Sequence, residues 1–430
     1  MICKISKIVA SGVVVAVLAV PKPAVANGAV ERPDTTSYEY VAPAATDTTG
    51  YRYTPLTAGD SLLLQQLQPQ PRKRFGQRFV DYFARANQDR TFEKKIDFTF
   101  AGGPGYSKNT SLTLGVLAAG LYRIDRTDSL TPPSDISIFG SVSVIGCYSL
   151  GVRGNNLFSH NDHKINYTLM FSSMPRDTWG VGYKAGRDND PSSYTEKQYK
   201  VQVNYMYQLL PRTYIGAKLN FEHTQGKRFK TESEAYESML AHMPDLKHAY
   251  TATGIGVLLE YDTRDFIPNP YRGLYVSLHE TWFPRVLGNC SKSLWRTVVT
   301  VDGYQKLWRG GLLAADLYGE FNSSGTPWPM LARPGGMWRL RGYYQGQYTD
   351  NNMLTFQVEL RQRIWRRIGC TVWGGAGNVF ERFDRFDWSQ TLPNYGVGFR
   401  WELKKRVNIR LDYGFGRKTS GFLMNLNEAF

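Results

Sequence analysis

The sequence predicts an all-β fold, a transmembrane antiparallel barrel of about sixteen strands. Three observations carry that prediction: an export signal at the start, hydropathy that alternates with a period of two from Lys94 onward, and the lack of any later apolar stretch as long as the roughly 18 residues of a spanning helix.

Lys4 and Lys7 precede an apolar run from Ile8 to Val20, and Ala24-Val25-Ala26 follows as a small-x-small cleavage pattern. Residues 1–26 therefore read as a signal peptide removed on export through the inner membrane. Cys3 leaves with it, and Cys147, Cys290 and Cys370 form an odd, widely spaced set that implies no disulfide framework. The formal charge is +15, and residues 1–26 contribute Lys4, Lys7 and Lys22 with no acid, so the mature chain is near +12. An excess of that sign suits anionic headgroups of outer-membrane lipids and lipopolysaccharide, acidic ligands, or a solvated basic lumen.

Residues 27–92 read as a flexible periplasmic segment, since "APAATDTTG" (Ala42–Gly50) and its surroundings show no sustained apolar period. Within it, Phe79, Tyr82, Phe83 and Ala86 recur at helical spacing, which predicts a short helix near residues 76–88. Residues 93–430 carry the barrel. In "YKVQVNYMYQL" the residues Tyr199, Val201, Val203, Tyr205, Tyr207 and Leu209 alternate with Lys200, Gln202, Asn204 and Gln208. In "VNIRLDYGF" Val407, Ile409, Leu411, Tyr413 and Phe415 alternate with Asn408, Arg410 and Asp412. A soluble sandwich would have to bury one of these faces, and a core does not accept so many unpaired charges. A barrel in lipid turns the apolar face outward and keeps charge in its lumen.

With the first strand, about Ile96 to Tyr106, leaving the periplasm, Gln225–Ala249 becomes an extracellular loop with a short helix near Thr231–Leu240. Asn322–Asn352 becomes the sixth such loop. The last ten residues, "GFLMNLNEAF", alternate Phe422, Met424 and Leu426 and end on Phe430, which resembles the sorting strand of Gram-negative outer-membrane proteins, with Glu428 where an apolar residue is usual.

Three motifs then point to one family. "LRGYY" (Leu340–Tyr344), with Arg341, Gly342 and Tyr343, resembles the Val-Arg-Gly-Phe/Tyr motif of the BamA/TamA-like outer-membrane assembly superfamily, the bacterial surface antigen family. "YDTRDFIPNPYRG" (Tyr261–Gly273) resembles its Asp-x-Arg-Asp-Asn-Pro turn. "VWGGAGNVF" (Val372–Phe380) resembles its Phe-x-Asp-x-Gly-Asn-Val strand, with Gly375 where the family carries an aspartate. The resemblance implies a sixth loop folded into the lumen, where its arginine pairs with inward acids. Independently of it, strand parity in "LTFQVELRQRI" sets Leu354, Phe356, Val358 and Leu360 outward and Gln357, Glu359 and Arg361 inward, so Glu359 is the candidate partner of Arg341. Asp412 also points inward. In the turn, Pro268, Pro270 and Gly273 read as a rigid reversal that Asp262, Arg264 and Asp265 tie down.

Only about 70 residues separate the cleavage site from the first strand, less than the family's periplasmic polypeptide-transport-associated repeats occupy. The chain thus resembles the branch lacking them, and partners among outer-membrane or periplasmic proteins are expected to stand in for them. The implied function is outer-membrane biogenesis, by insertion, assembly or translocation, through a loop-plugged barrel with a lateral seam. The alternative is a passive diffusion channel or a structural subunit of a larger complex. An enzyme is not expected: the one concentrated polar cluster, His160, Asp162 and His163 in "SHNDHK", reads as turn chemistry. No phosphate-binding glycine loop, zinc-spaced cysteines or nucleic-acid motif is present, so no metal, small-molecule cofactor or nucleic acid is expected.

Overall fold

The computed structural model describes residues 91–430 apart from 108–110, 129–130, 268, 405–406 and 427. The expected signal peptide, the N-terminal segment with the helix expected near 76–88, and Pro268 lie outside the described residues.

Sixteen strands form one antiparallel sheet in chain order. They are β1 (Asp97–Ser107), β2 (Ser111–Tyr122), β3 (Ser134–Ser143), β4 (Tyr148–Leu157), β5 (His163–Thr178), β6 (Ser192–Leu210), β7 (Thr213–Lys227) and β8 (Ala249–Asp262). The second half comprises β9 (Gly273–Phe283), β10 (Leu294–Trp308), β11 (Gly311–Asn322), β12 (Asn352–Trp365), β13 (Ile368–Phe380), β14 (Leu392–Lys404), β15 (Val407–Gly416) and β16 (Thr419–Leu426). Among the described residues no helix is long and apolar enough to cross a membrane. All but β16, with 8 residues, are long enough: about 9–11 residues suffice, and β6 has 19.

The distribution of burial separates a lipid-facing barrel from a soluble sandwich. Leu169, Tyr205, Leu219, Val257, Phe356 and Val372 are exposed on one face, whereas Lys218, Glu222, Asp316, Glu359 and Asp412 are buried on the other. Arg341 and Arg410 are the largest fully buried side chains. Such an inversion is tolerable where the apolar face meets hydrocarbon and the polar face satisfies itself internally. Exposed tryptophans mark the two ends: Trp282 and Trp295, stacked at 6.1 Å, near one, and Trp308, Trp365 and Trp401 near the other.

Two short helices lie in connections at the end that carries the sixth loop: α1 (Tyr183–Asp188) between β5 and β6, and α2 (Glu234–His242) between β7 and β8. The Ser233 side chain caps α2 by accepting from the Tyr236 N–H. Met239 and Met243 from this region join Tyr194, Phe283, Trp328 and Met330 in an apolar cluster that links β6 and β9 to the sixth loop.

The final strand is shorter than its alternation suggests. β16 stops at Leu426 and does not continue to Phe430. The reason is Glu428: its carboxylate takes Arg400 Nε at 2.8 Å and Asn408 Nδ2 at 2.6 Å. Phe430 turns its ring toward Tyr304, with 6.4 Å between centroids. At the other edge β1 pairs with β2 along its whole length, yet among the described residues no hydrogen-bonded register joins β1 to β16.

Candidate functional site

Residues 323–351 connect β11 to β12 and lie against the buried face of the sheet. Local geometry holds this segment in a reversal: the Tyr343 N–H donates to the Leu340 carbonyl, and the Gly336 N–H to the Tyr343 carbonyl. Gly342 has φ +110°, and a Cβ there would sit 2.7 Å from the Gly414 carbonyl carbon of β15. Gly414 is equally constrained, since its Cβ would meet the Arg341 carbonyl oxygen at 2.5 Å. Two glycines therefore let two backbones touch, and no other residue type permits that approach.

This contact delivers Arg341 into a set of buried charges. Arg341 Nη2 donates to Glu359 Oε2 at 2.6 Å and Nη1 donates to Asp412 Oδ2 at 2.8 Å, with all three side chains fully buried. Its guanidinium also lies 3.8 Å from the centre of the Trp373 ring. Glu359 is on β12, Asp412 on β15 and Trp373 on β13, so one arginine from the loop touches three strands. Asp412 is further held by Arg400 Nη1 at 2.6 Å, and Glu359 by Arg361 Nε at 2.7 Å. Tyr343 donates its hydroxyl to the Pro393 carbonyl at 2.8 Å and accepts from the Arg417 N–H at 2.7 Å.

Gly375 has a steric explanation. It pairs with Gln357 in the β12–β13 register, and a Cβ there would meet the Phe356 carbonyl oxygen at 2.5 Å and Asn394 Oδ1 at 2.7 Å. No side chain fits, and the second acid beside Arg341 comes from β15. Sequence reasoning missed Trp373, Arg400 and the role of Glu428. Trp373 carried a usable signal, because it shares strand parity with Gly375 and stands opposite Glu359.

Further contacts fix the loop toward the other end. Arg333 Nη1 donates to Glu196 Oε2 at 2.9 Å, and its Nη2 donates to the Trp328 carbonyl. Burial opposes its charge, but Tyr194 and Glu196 outweigh that and hold the guanidinium above its ordinary value. Tyr348 stacks on Tyr183 of α1 at 5.6 Å, and the Tyr344 hydroxyl accepts from the Asp177 N–H at 3.1 Å.

The remaining predicted residues lie elsewhere. Between β8 and β9, Asp262 Oδ2 takes Arg264 Nη2 at 2.8 Å, and Asp265 Oδ1 accepts from the Tyr271 N–H at 2.8 Å. Pro270 is buried there. Gly273 has φ +117° with the Thr263 carbonyl oxygen 2.5 Å from a would-be Cβ. This turn is at the far end of the sheet from the sixth loop. His163 Nδ1 lies 2.8 Å from the Tyr205 hydroxyl on the exposed face, while His160 sits in the preceding turn with φ 59°. Among the described residues no group of three or more His, Cys, Asp or Glu is arranged to hold a metal ion.

The fold is similar to that of known proteins. Residues 148–430 match the model of the Omp85 superfamily domain. BamA from Haemophilus ducreyi lacking POTRA domains 1-3 is similar in structure over 77% of this chain and 70% of that one, with 13% identity and a TM-score of 0.52. CdiB from Escherichia coli is similar over 76% of this chain and 62% of its own, with 11% identity and a TM-score of 0.54. CdiB from Acinetobacter baumannii covers 78% and 60%, with 12% identity and a TM-score of 0.50. This chain thus spans less than two thirds of either CdiB chain, and at such identities the likeness speaks for the fold. No curated protein matches the chain. The match to this superfamily indicates an outer-membrane location. From β4 to its last residue, the chain belongs to the Omp85 superfamily.

Proposed function

We propose that this protein inserts or translocates polypeptides at the outer membrane, with the sixth loop plugging the lumen and the β1–β16 boundary acting as a lateral seam. The observation that carries the reading is the unpaired edge: β1 and β16 come close but share no hydrogen-bonded register among the described residues. An open strand edge offers its N–H and C=O groups to an incoming strand. β16, at only 8 residues, forms a short wall that separates readily. The anchored loop supports the same reading, because a lumen filled by Arg341 and its partners leaves the seam as the exit. On this reading the cleaved signal directs export, outer-membrane lipid and lipopolysaccharide surround the barrel, and outer-membrane or periplasmic proteins deliver the substrate.

The test is a reversible tether. Single cysteines on β1 and β16, with Cys147, Cys290 and Cys370 replaced by alanine, are oxidised in liposomes that contain an unfolded client barrel. Insertion of the client should stop on oxidation and resume on reduction. Equal insertion in both states would remove the seam from the mechanism.

A further inference from the structure

At the end of the sheet opposite the sixth loop, a solvent-open cavity lies between the β10–β11 and β12–β13 turns. Lys306, Arg309, Arg361, Arg363, Arg367 and Arg400 line it, against the two acids Glu402 and Glu428. Glu428 is already satisfied by Arg400 and Asn408. The side chains of Lys306, Arg309 and Arg363 have no acidic partner among the described residues and are exposed.

A second observation points to a ligand. Arg361 is 6% exposed; its Nε is committed to Glu359 and its Nη2 to the Phe430 main-chain oxygen at 3.1 Å. Arg361 lines the cavity, and its buried Nη1 has no hydrogen-bond partner among the described residues. A buried guanidinium nitrogen left unpaired is unfavourable, and an entering oxyanion relieves it.

We infer that this mouth is a binding site for an acidic polypeptide segment, one carboxylate of which reaches Arg361 while others meet Lys306, Arg309 and Arg363. Strand parity decides against a lipid headgroup. Arg361 lies on the buried face with Glu359, and Lys306 shares parity with the buried Tyr304, so a ligand enters from the open end of the barrel and not through the lipid-facing surface. Leu312, Ile368 and Tyr271 add apolar wall for the side chains between carboxylates. Arg361 also touches Glu359, so a single side chain joins this cavity to the anchor of the sixth loop. The inference takes from the topology expected of the sequence only that this end faces the periplasm, and its test reads equilibrium binding with no client insertion.

The full-length protein is placed in nanodiscs of neutral phosphatidylcholine and titrated with a short fluorescent peptide that alternates glutamate with leucine. The expected result is binding that weakens with salt, at least about tenfold tighter than for the glutamine counterpart. Lys306→Gln combined with Arg363→Gln removes two exposed charges without touching the fold, and should weaken the acidic peptide about tenfold. Arg361→Lys, which keeps the charge but not the planar fork, should also weaken it. Equal binding of the two peptides, or full affinity in the double variant, overturns the inference. Displacement of the peptide when phosphatidylglycerol replaces part of the neutral lipid overturns it as well, in favour of a headgroup site.

Discussion

Replacing Arg341 or Glu359 by alanine perturbs the buried charges unequally. The cluster contains Arg341, Arg361, Arg400 and Arg410 with Glu359, Asp412 and Glu428, four cations against three anions. Arg341→Ala removes two charge-assisted bonds but leaves three of each sign, with Glu359 still held by Arg361 and Asp412 by Arg400. Each lost bond is worth about 1.5–3 kcal/mol before repairing, so a net loss of about 3 kcal/mol is expected. Glu359→Ala leaves four arginines facing two acids, and it takes partners from Arg341 at 2.6 Å, Arg361 at 2.7 Å and Arg400 at 3.4 Å. Stranding buried charge in this way costs about 3–5 kcal/mol, so the glutamate variant is the less stable of the two. Removing both residues leaves three arginines and two acids, and should cost less than the sum of the single changes by about 1–3 kcal/mol. The assay is guanidinium unfolding from lipid vesicles, followed by tryptophan fluorescence. Additive losses, or an Arg341→Ala variant less stable than Glu359→Ala, would refute the reasoning.

Two further outcomes follow from the loop. Gly342→Ala forces a Cβ onto the Gly414 backbone at φ +110°, so the unfolding midpoint should fall by an amount equivalent to more than about 1 kcal/mol; an unchanged midpoint would mean the two backbones do not touch. Burial pushes the Asp350 carboxyl up to about 7, partly offset by the Asn351 N–H and reinforced by Glu381. The folded state therefore holds this proton more tightly than the unfolded chain. Its contribution is present below the ordinary aspartate range and is lost as pH rises toward about 7. Stability of the wild type should decline from about pH 5 to about pH 8 more steeply than that of Asp350→Asn; identical profiles would contradict this.

Much of the fold was legible because a barrel strand writes its environment into every second residue. The parity of "LTFQVELRQRI" is enough to separate the exposed Phe356 from the buried Glu359, and the loss of alternation at Asn322 and its return at Asn352 bound the sixth loop. Parity gives a face but not a distance. Glu359 and Asp412 lie three strands apart in the sheet, and only its curvature brings both to one guanidinium. The end of β16 was misread for a related reason: Phe422, Met424 and Leu426 continue a simple alternation, while the pull of Arg400 on Glu428 is a contact between residues 28 apart. Gly375 departs from the family's aspartate for a reason no pattern carries, because the Phe356 carbonyl oxygen fills the space a side chain would need.

The most direct test of the central claim, that the anchored sixth loop closes the barrel, is planar-bilayer conductance of the wild type beside a variant lacking Ser323–Asp350. The account predicts a nearly silent wild type and a variant with large, frequent openings. A wide, steady wild-type pore that the deletion leaves unchanged would contradict it and identify a diffusion channel.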